Sequence, residues 1–210
     1  MRQLESLDTL VVHQKKEWGE ILTGFETKNA YTVFDMAGNE MYAAVEDGGF
    51  FLWRWILKAL RPFVILILGQ NQSPVIKVQR PFRFYFHQAY IFDSTERLLG
   101  SIKRRFSILR KKYSVYDSTG AEIYQLFGPI LHPWTFEIRD ESGTEYGKIT
   151  KKWSGLLKEG FTDADNFGVI FPGEWPVQRK ALFLGAVFLI DFVHFENKRS
   201  GSSRLDFWED

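Results

Sequence analysis

Asp163, Asp165, Gly168 and Glu174 fall at positions 1, 3, 6 and 12 of a twelve-residue frame. EF-hand loops hold calcium on that spacing. Ca²⁺ is a hard cation that takes several oxygen ligands, and this segment offers three carboxylates plus backbone carbonyls. Position 5 is Phe167, which carries no side-chain oxygen. The run Val169-Ile-Phe-Pro172 reads as a strand, so the competing reading makes Asp163 and Asp165 turn residues ahead of it. A calcium site drawn from Asp163, Asp165, Phe167 and Glu174 is expected to be weak, with Kd of about 10⁻⁴–10⁻³ M.

Two further groups suit an interface. In Phe50–Leu60, the aromatics Phe50, Phe51, Trp53 and Trp55 favour a membrane–water boundary. Arg54 and Lys58 beside them suit lipid headgroups. The plainer reading is an aromatic cap on a barrel end, or a contact between copies. The stretch Arg97–Lys112 holds Lys103, Arg104, Arg105, Arg110, Lys111 and Lys112 and no acid. It matches an anionic leaflet at about 1 kcal/mol per cation. It also matches a solvated hairpin whose charges discourage edge pairing. Asp191 and His194 stand i,i+3 on one apolar segment and are expected to bond each other. No nucleophile elbow, P-loop or paired-histidine metal spacing is present, so covalent catalysis has no support.

These residues must be positioned by a chain of 210 residues with 17% aromatics and no cysteine. The absence of cysteine excludes disulfides, thiolate metal sites and palmitoylation. A formal net charge of +1 gives no global pull toward nucleic acid. The N-terminal MRQLESLDTL has no apolar h-region, so the chain is expected not to be secreted. An alternating strand closed by Asp-x-x-Gly recurs at Asp35–Gly38, Asp117–Gly120 and Asp140–Gly143, with a looser copy at Asp93–Glu96. Asp bonds the backbone two residues on, and Gly takes the positive φ that ends such a turn. Short strands at even spacing predict an all-β barrel or sandwich.

Ala181–Ile190 breaks the pattern as an unbroken apolar run of ten. A helix apolar on every face must be buried or in lipid. A span needs about 20 apolar residues, so the spacing predicts a core helix over about 180–196. Phe50–Leu68 carries Arg54, Lys58, Arg61 and Pro62, which argues against a span. The predicted organisation is one domain, 1–196, followed by a polar tail, 197–210.

Several stretches in order resemble the phospholipid scramblase family. They are Leu22–Tyr31, Ala43–Asp47, Arg61-Pro-Phe63, Gln79-Arg-Pro-Phe82 and Gly185–Phe192. The most specific is Gly147-Lys-Ile-Thr-Lys-Lys-Trp-Ser-Gly155 continuing into Phe161–Pro172. The resemblance implies a tubby-like closed antiparallel barrel of about twelve strands around the C-terminal helix. It implies calcium-stimulated movement of phospholipid between leaflets, with Asp163–Glu174 as the calcium segment and Phe50–Leu60 where animal members carry cysteine-rich loops. The expected setting is the cytoplasmic surface of a membrane, with phospholipid, including anionic lipid, as partner. The alternative is a tubby-like module that binds phospholipid or phosphoinositide headgroups without transport.

Overall fold

The computed structural model describes residues 1–15, 30–47, 62–82, 86–151 and 166–195. Alternating apolar and polar residues, interrupted by turn residues, give strands that bury one face each. There are twelve: β1 (Thr9–Lys15), β2 (Ala30–Phe34), β3 (Glu40–Glu46), β4 (Phe63–Leu68), β5 (Pro74–Arg80), β6 (Gln88–Asp93), β7 (Leu98–Arg105), β8 (Lys111–Asp117), β9 (Glu122–Gly128), β10 (Thr135–Arg139), β11 (Glu145–Lys151) and β12 (Asn166–Ile170). Each strand pairs with the next, and β1 pairs antiparallel with β12, so the sheet closes into a barrel with no free edge.

The closed meander has two unlike ends. At the turn rim, short hairpins join β2 to β3, β4 to β5, β6 to β7, β8 to β9 and β10 to β11. At the loop rim lie the longer connections, which include all those that begin at the ends of β1, β3, β5, β7, β9 and β11. The Asp-x-x-Gly repeat builds the turn rim. Asp117 Oδ1 accepts from the N–H groups of Thr119 and Ala121 at 2.9 and 3.1 Å and from the Thr119 hydroxyl at 2.6 Å. Gly38, Gly120 and Gly143 sit at φ of 85°, 86° and 88°, and Glu96 holds the matching place at 61°. Bonds from the Thr95, Thr119 and Ser142 hydroxyls, with backbone N–H groups, hold Asp93, Asp117 and Asp140 below the usual carboxylate range.

The helix α1 (Val177–His194) threads the barrel, and Lys180–Phe192 is buried throughout. The predicted core helix is therefore present, beginning three residues earlier than the expected 180. Eighteen residues span about 27 Å, enough to run from one rim to the other. It packs most closely on β6 and β7. Two glycines permit the approach. A Cβ on Gly185 would lie 2.7 Å from Ile91 Cγ1, and one on Gly100 would lie 2.2 Å from the Tyr116 carbonyl oxygen and 3.0 Å from Leu182.

The helix enters at the turn rim, where a 3₁₀ turn, Arg2–Leu4, lies beside it. Lys180 is buried there, which lowers its pKa. Its ammonium donates to the carbonyls of Leu4, Glu5, Leu7 and Gly173 at 3.0, 2.8, 2.7 and 2.6 Å. The turn rim is thus closed by a lysine clasping the N-terminal segment.

Candidate functional site at the loop rim

Helix α1 ends at the loop rim, inside a ring of inward-facing polar side chains. Asp191 accepts from the Tyr31 hydroxyl at 2.9 Å and from Lys151 Nζ at 3.3 Å. His194 Nε2 meets the Tyr113 hydroxyl at 2.7 Å. The expected pairing of Asp191 with His194 is replaced by bonds from each to the barrel wall, because the strands bring a lysine and two tyrosines within reach. These bonds fix the helix end against β2, β8 and β11.

Arg80, fully buried at the end of β5, bonds Nδ1 of His87 through its guanidinium and lies 4.5 Å from the Phe192 ring centroid. Burial, with the nearby charges of Arg80 and Arg104, holds His87 down at about 4. A neutral imidazole accepting at Nδ1 is what that bond requires. Burial likewise pushes the Tyr113 phenol well above its ordinary value. Among the described residues the ring carries four cations, Arg80, Arg104, Lys111 and Lys151, against Glu46 and Asp191. Its described residues offer an electropositive mouth and a seat for the helix end.

The basic stretch divides between faces. Arg97 lies at the turn rim, bonded to Asp93 at 2.9 Å. Lys103 is exposed on the outer wall, while Arg104, on the same face as Ile102, turns toward the mouth. Arg105 reaches along the outer wall to Glu122 at 3.3 Å. Arg110 and Lys112 lie 5.0 and 5.6 Å from the outward Phe127 ring. Lys111 points inward and donates to the Pro133 carbonyl at 2.8 Å. Six cations adjacent in sequence therefore serve two surfaces, because a strand alternates its faces.

The aromatic segment with Phe50, Phe51, Trp53, Arg54, Trp55 and Lys58 lies outside the described residues, as do Asp163 and Asp165. The strands flanking the first, β3 and β4, end and begin at the loop rim. Phe167 is part of β12, paired with Val12 of β1 and Lys151 of β11, and its side chain is buried. Asn166 begins β12, and the exposed Glu174 follows four residues beyond its far end, past about 13 Å of strand. Within the frame from Asp163 to Glu174, Asn166–Ile170 runs extended between β1 and β11. Among the described residues no three acidic or histidine side chains gather as a metal set.

The most exposed apolar groups are not among the residues singled out by type and spacing. Ten large hydrophobic side chains are exposed among the described residues. Leu98 and Tyr146 lie at the turn rim, and the other eight, including Phe82 and Phe86, lie at the loop rim. The signal was available in Pro129-Ile-Leu-His-Pro133-Trp134, an apolar word where a connection between strands is ordinarily polar.

A twelve-strand antiparallel barrel threaded by a C-terminal helix is the tubby-like architecture. A solved protein from Arabidopsis thaliana shares it at a TM-score of 0.50 and 13% identity, over 89% of this chain and 93% of that one. The likeness is one of fold alone. The scramblase family model matches residues 1–197, and the chain belongs to that family. It is 33% identical over 222 residues to phospholipid scramblase 1 of Mus musculus, covering 100% of this chain and 67% of that protein. It is 32% identical over 212 residues to phospholipid scramblase 2 of Bos taurus, covering 95% and 72%. The chain spans about two thirds of the length of these relatives.

Proposed function

We propose that this chain binds the phospholipid surface of a membrane through its loop rim and moves phospholipid between leaflets. The observation that carries the reading is the burial of helix α1, the chain's most apolar segment, inside the barrel of a scramblase-family protein. The described residues contain no helix long and apolar enough to cross a membrane. Lipid contact therefore falls to the outer surface. The aromatic and cationic connection between β3 and β4 and the cations Lys103, Arg104, Arg105, Arg110, Lys111 and Lys112 belong to the strands that meet at one rim.

The direct test is dithionite quenching of labelled lipid in proteoliposomes, run with Ca²⁺, with Mg²⁺ and with chelator. Loss of the slowly quenched inner-leaflet signal is expected with the protein present. Vesicle binding without accelerated quenching would assign the chain to headgroup binding without transport. Calcium stimulation that survives Asp163→Asn/Asp165→Asn would remove those carboxylates from the reading. Trp53→Ala/Trp55→Ala is expected to reduce flotation with liposomes more than any single cation removal. An unchanged flotation profile would move the contact elsewhere on the rim.

A further inference from the structure

We infer that the β7–β8 and β9–β10 loops form one wedge that enters the headgroup layer of an anionic bilayer and seats the barrel loop rim down. The inference rests on the membrane-binding reading above and names a surface that makes the contact. The two loops leave the barrel side by side, because Lys111 at the start of β8 pairs with Gly128 at the end of β9. They are also tied together by the bond from Lys111 Nζ to the Pro133 carbonyl at 2.8 Å. The second loop is braced from below: the Thr135 N–H donates to the His132 carbonyl at 3.0 Å, and the Lys151 N–H to the Trp134 carbonyl at 2.9 Å. The tips thus stand on the barrel wall.

What the tips present is apolar. Phe106, Ile108 and Leu109 are exposed at 79%, 85% and 79%, and Ile130, Leu131 and Trp134 at 56%, 87% and 44%. Six such side chains on two adjoining loops form a patch of the kind that marks an interaction surface. Charge selects the occupant. Lys103, Arg110 and Lys112 lie at the strand ends behind the tips, and neither 103–112 nor 128–135 contains an Asp or Glu. The opposite rim is built on acids, among them Asp35, Asp93, Asp117 and Asp140. An apolar tip backed by cations matches an anionic leaflet, whose acyl boundary takes the tips and whose headgroups take the cations.

The cysteine-free chain allows a clean test. Single substitutions Ile108→Cys, Leu131→Cys and Ser118→Cys are labelled with an environment-sensitive fluorophore, and the full chain is mixed with vesicles of phosphatidylcholine and phosphatidylserine. A blue shift and quenching by a bilayer-embedded quencher are expected at 108 and 131, and neither at 118 on the far rim. Ile108→Ser/Leu131→Ser should lower vesicle partitioning at least about tenfold, with an unchanged melting temperature because both side chains are exposed. Labels at 108 and 131 that stay in water on vesicle-bound protein would overturn the wedge. They would leave membrane binding intact and shift the contact to the β3–β4 connection. Protein that binds no vesicles at all would overturn both the wedge and the proposed function.

Discussion

At the scale of single residues, His87 controls how the mouth responds to acid. The folded protein holds it at about 4, against 6.5 for an ordinary histidine. Between those values the unfolded chain takes up a proton that the folded chain refuses. The stability this contributes is present above pH 6.5 and is lost as pH falls toward 4. The loss amounts to about 2–3 kcal/mol. Denaturant unfolding across this range is expected to show that slope, and His87→Gln, which keeps an acceptor for Arg80, should flatten it. The depressed Asp93, Asp117 and Asp140 act in a separate, more acidic window, below their ordinary 3.8, and their contribution is lost only as pH falls through it. A wild-type slope retained in His87→Gln would refute the assignment. The turns allow a second check. Nothing lies within 4 Å of a Cβ placed on Gly120 or Gly143, so alanine there meets only the backbone cost of positive φ. Gly120→Ala and Gly143→Ala should each destabilise by about 1 kcal/mol in thermal or denaturant unfolding. The turns were legible in the sequence because their chemistry is local: an aspartate, a glycine and three residues between strands. The His87–Arg80 contact was not, since it depends on the geometry around a connection between two strands.

At the scale of elements, the decisive fit is helix against barrel. Gly185 faces Ile91 and Val78, at 2.7 and 3.4 Å from the place its Cβ would occupy. Gly185→Leu should overpack this contact and destabilise by about 1–3 kcal/mol, read as a lower denaturation midpoint. A neutral result would mean that the helix can shift in its seat. All-round apolarity over too few residues for a membrane was enough to predict this element and its burial. The grouping of the loops was not legible in the same way. Phe106 and Leu131 are far apart in the chain, and only the register of β8 against β9 sets their loops beside each other. The calcium frame is open to a related limit. Spacing alone does not show that five of its residues, Asn166–Ile170, extend as a strand between two others.

At the scale of the whole molecule, the described residues divide their charge more sharply than the formal net charge of +1 implies. Acidic hairpins gather at one rim, while the β7–β10 side of the other is basic and apolar. Such a body is steered on approach to an anionic surface, and the steering is screened over about 8 Å at physiological ionic strength. In stopped-flow mixing with phosphatidylserine vesicles, added salt should slow capture strongly and alter release little, since release is governed by the apolar tips. Equal effects on both rates would mean that charge alone holds the protein.

The helix that fills the barrel is also the last described element of the chain. β1 can meet β12 only once the chain has been made through Ile170, since the seam joins Thr9–His13 to Asn166–Ile170. The lining of the cylinder, including Val78, Ile91 and Ile102, has no partner until α1 arrives. Until that seam closes, the strands can form only an open ribbon with one apolar face. Loop-closure entropy is met in one late step, when strand and helix arrive together. A nascent chain stopped at Trp175 should remain protease-sensitive and bound to whatever shields its inner face, and extension through α1 should convert it into a closed particle.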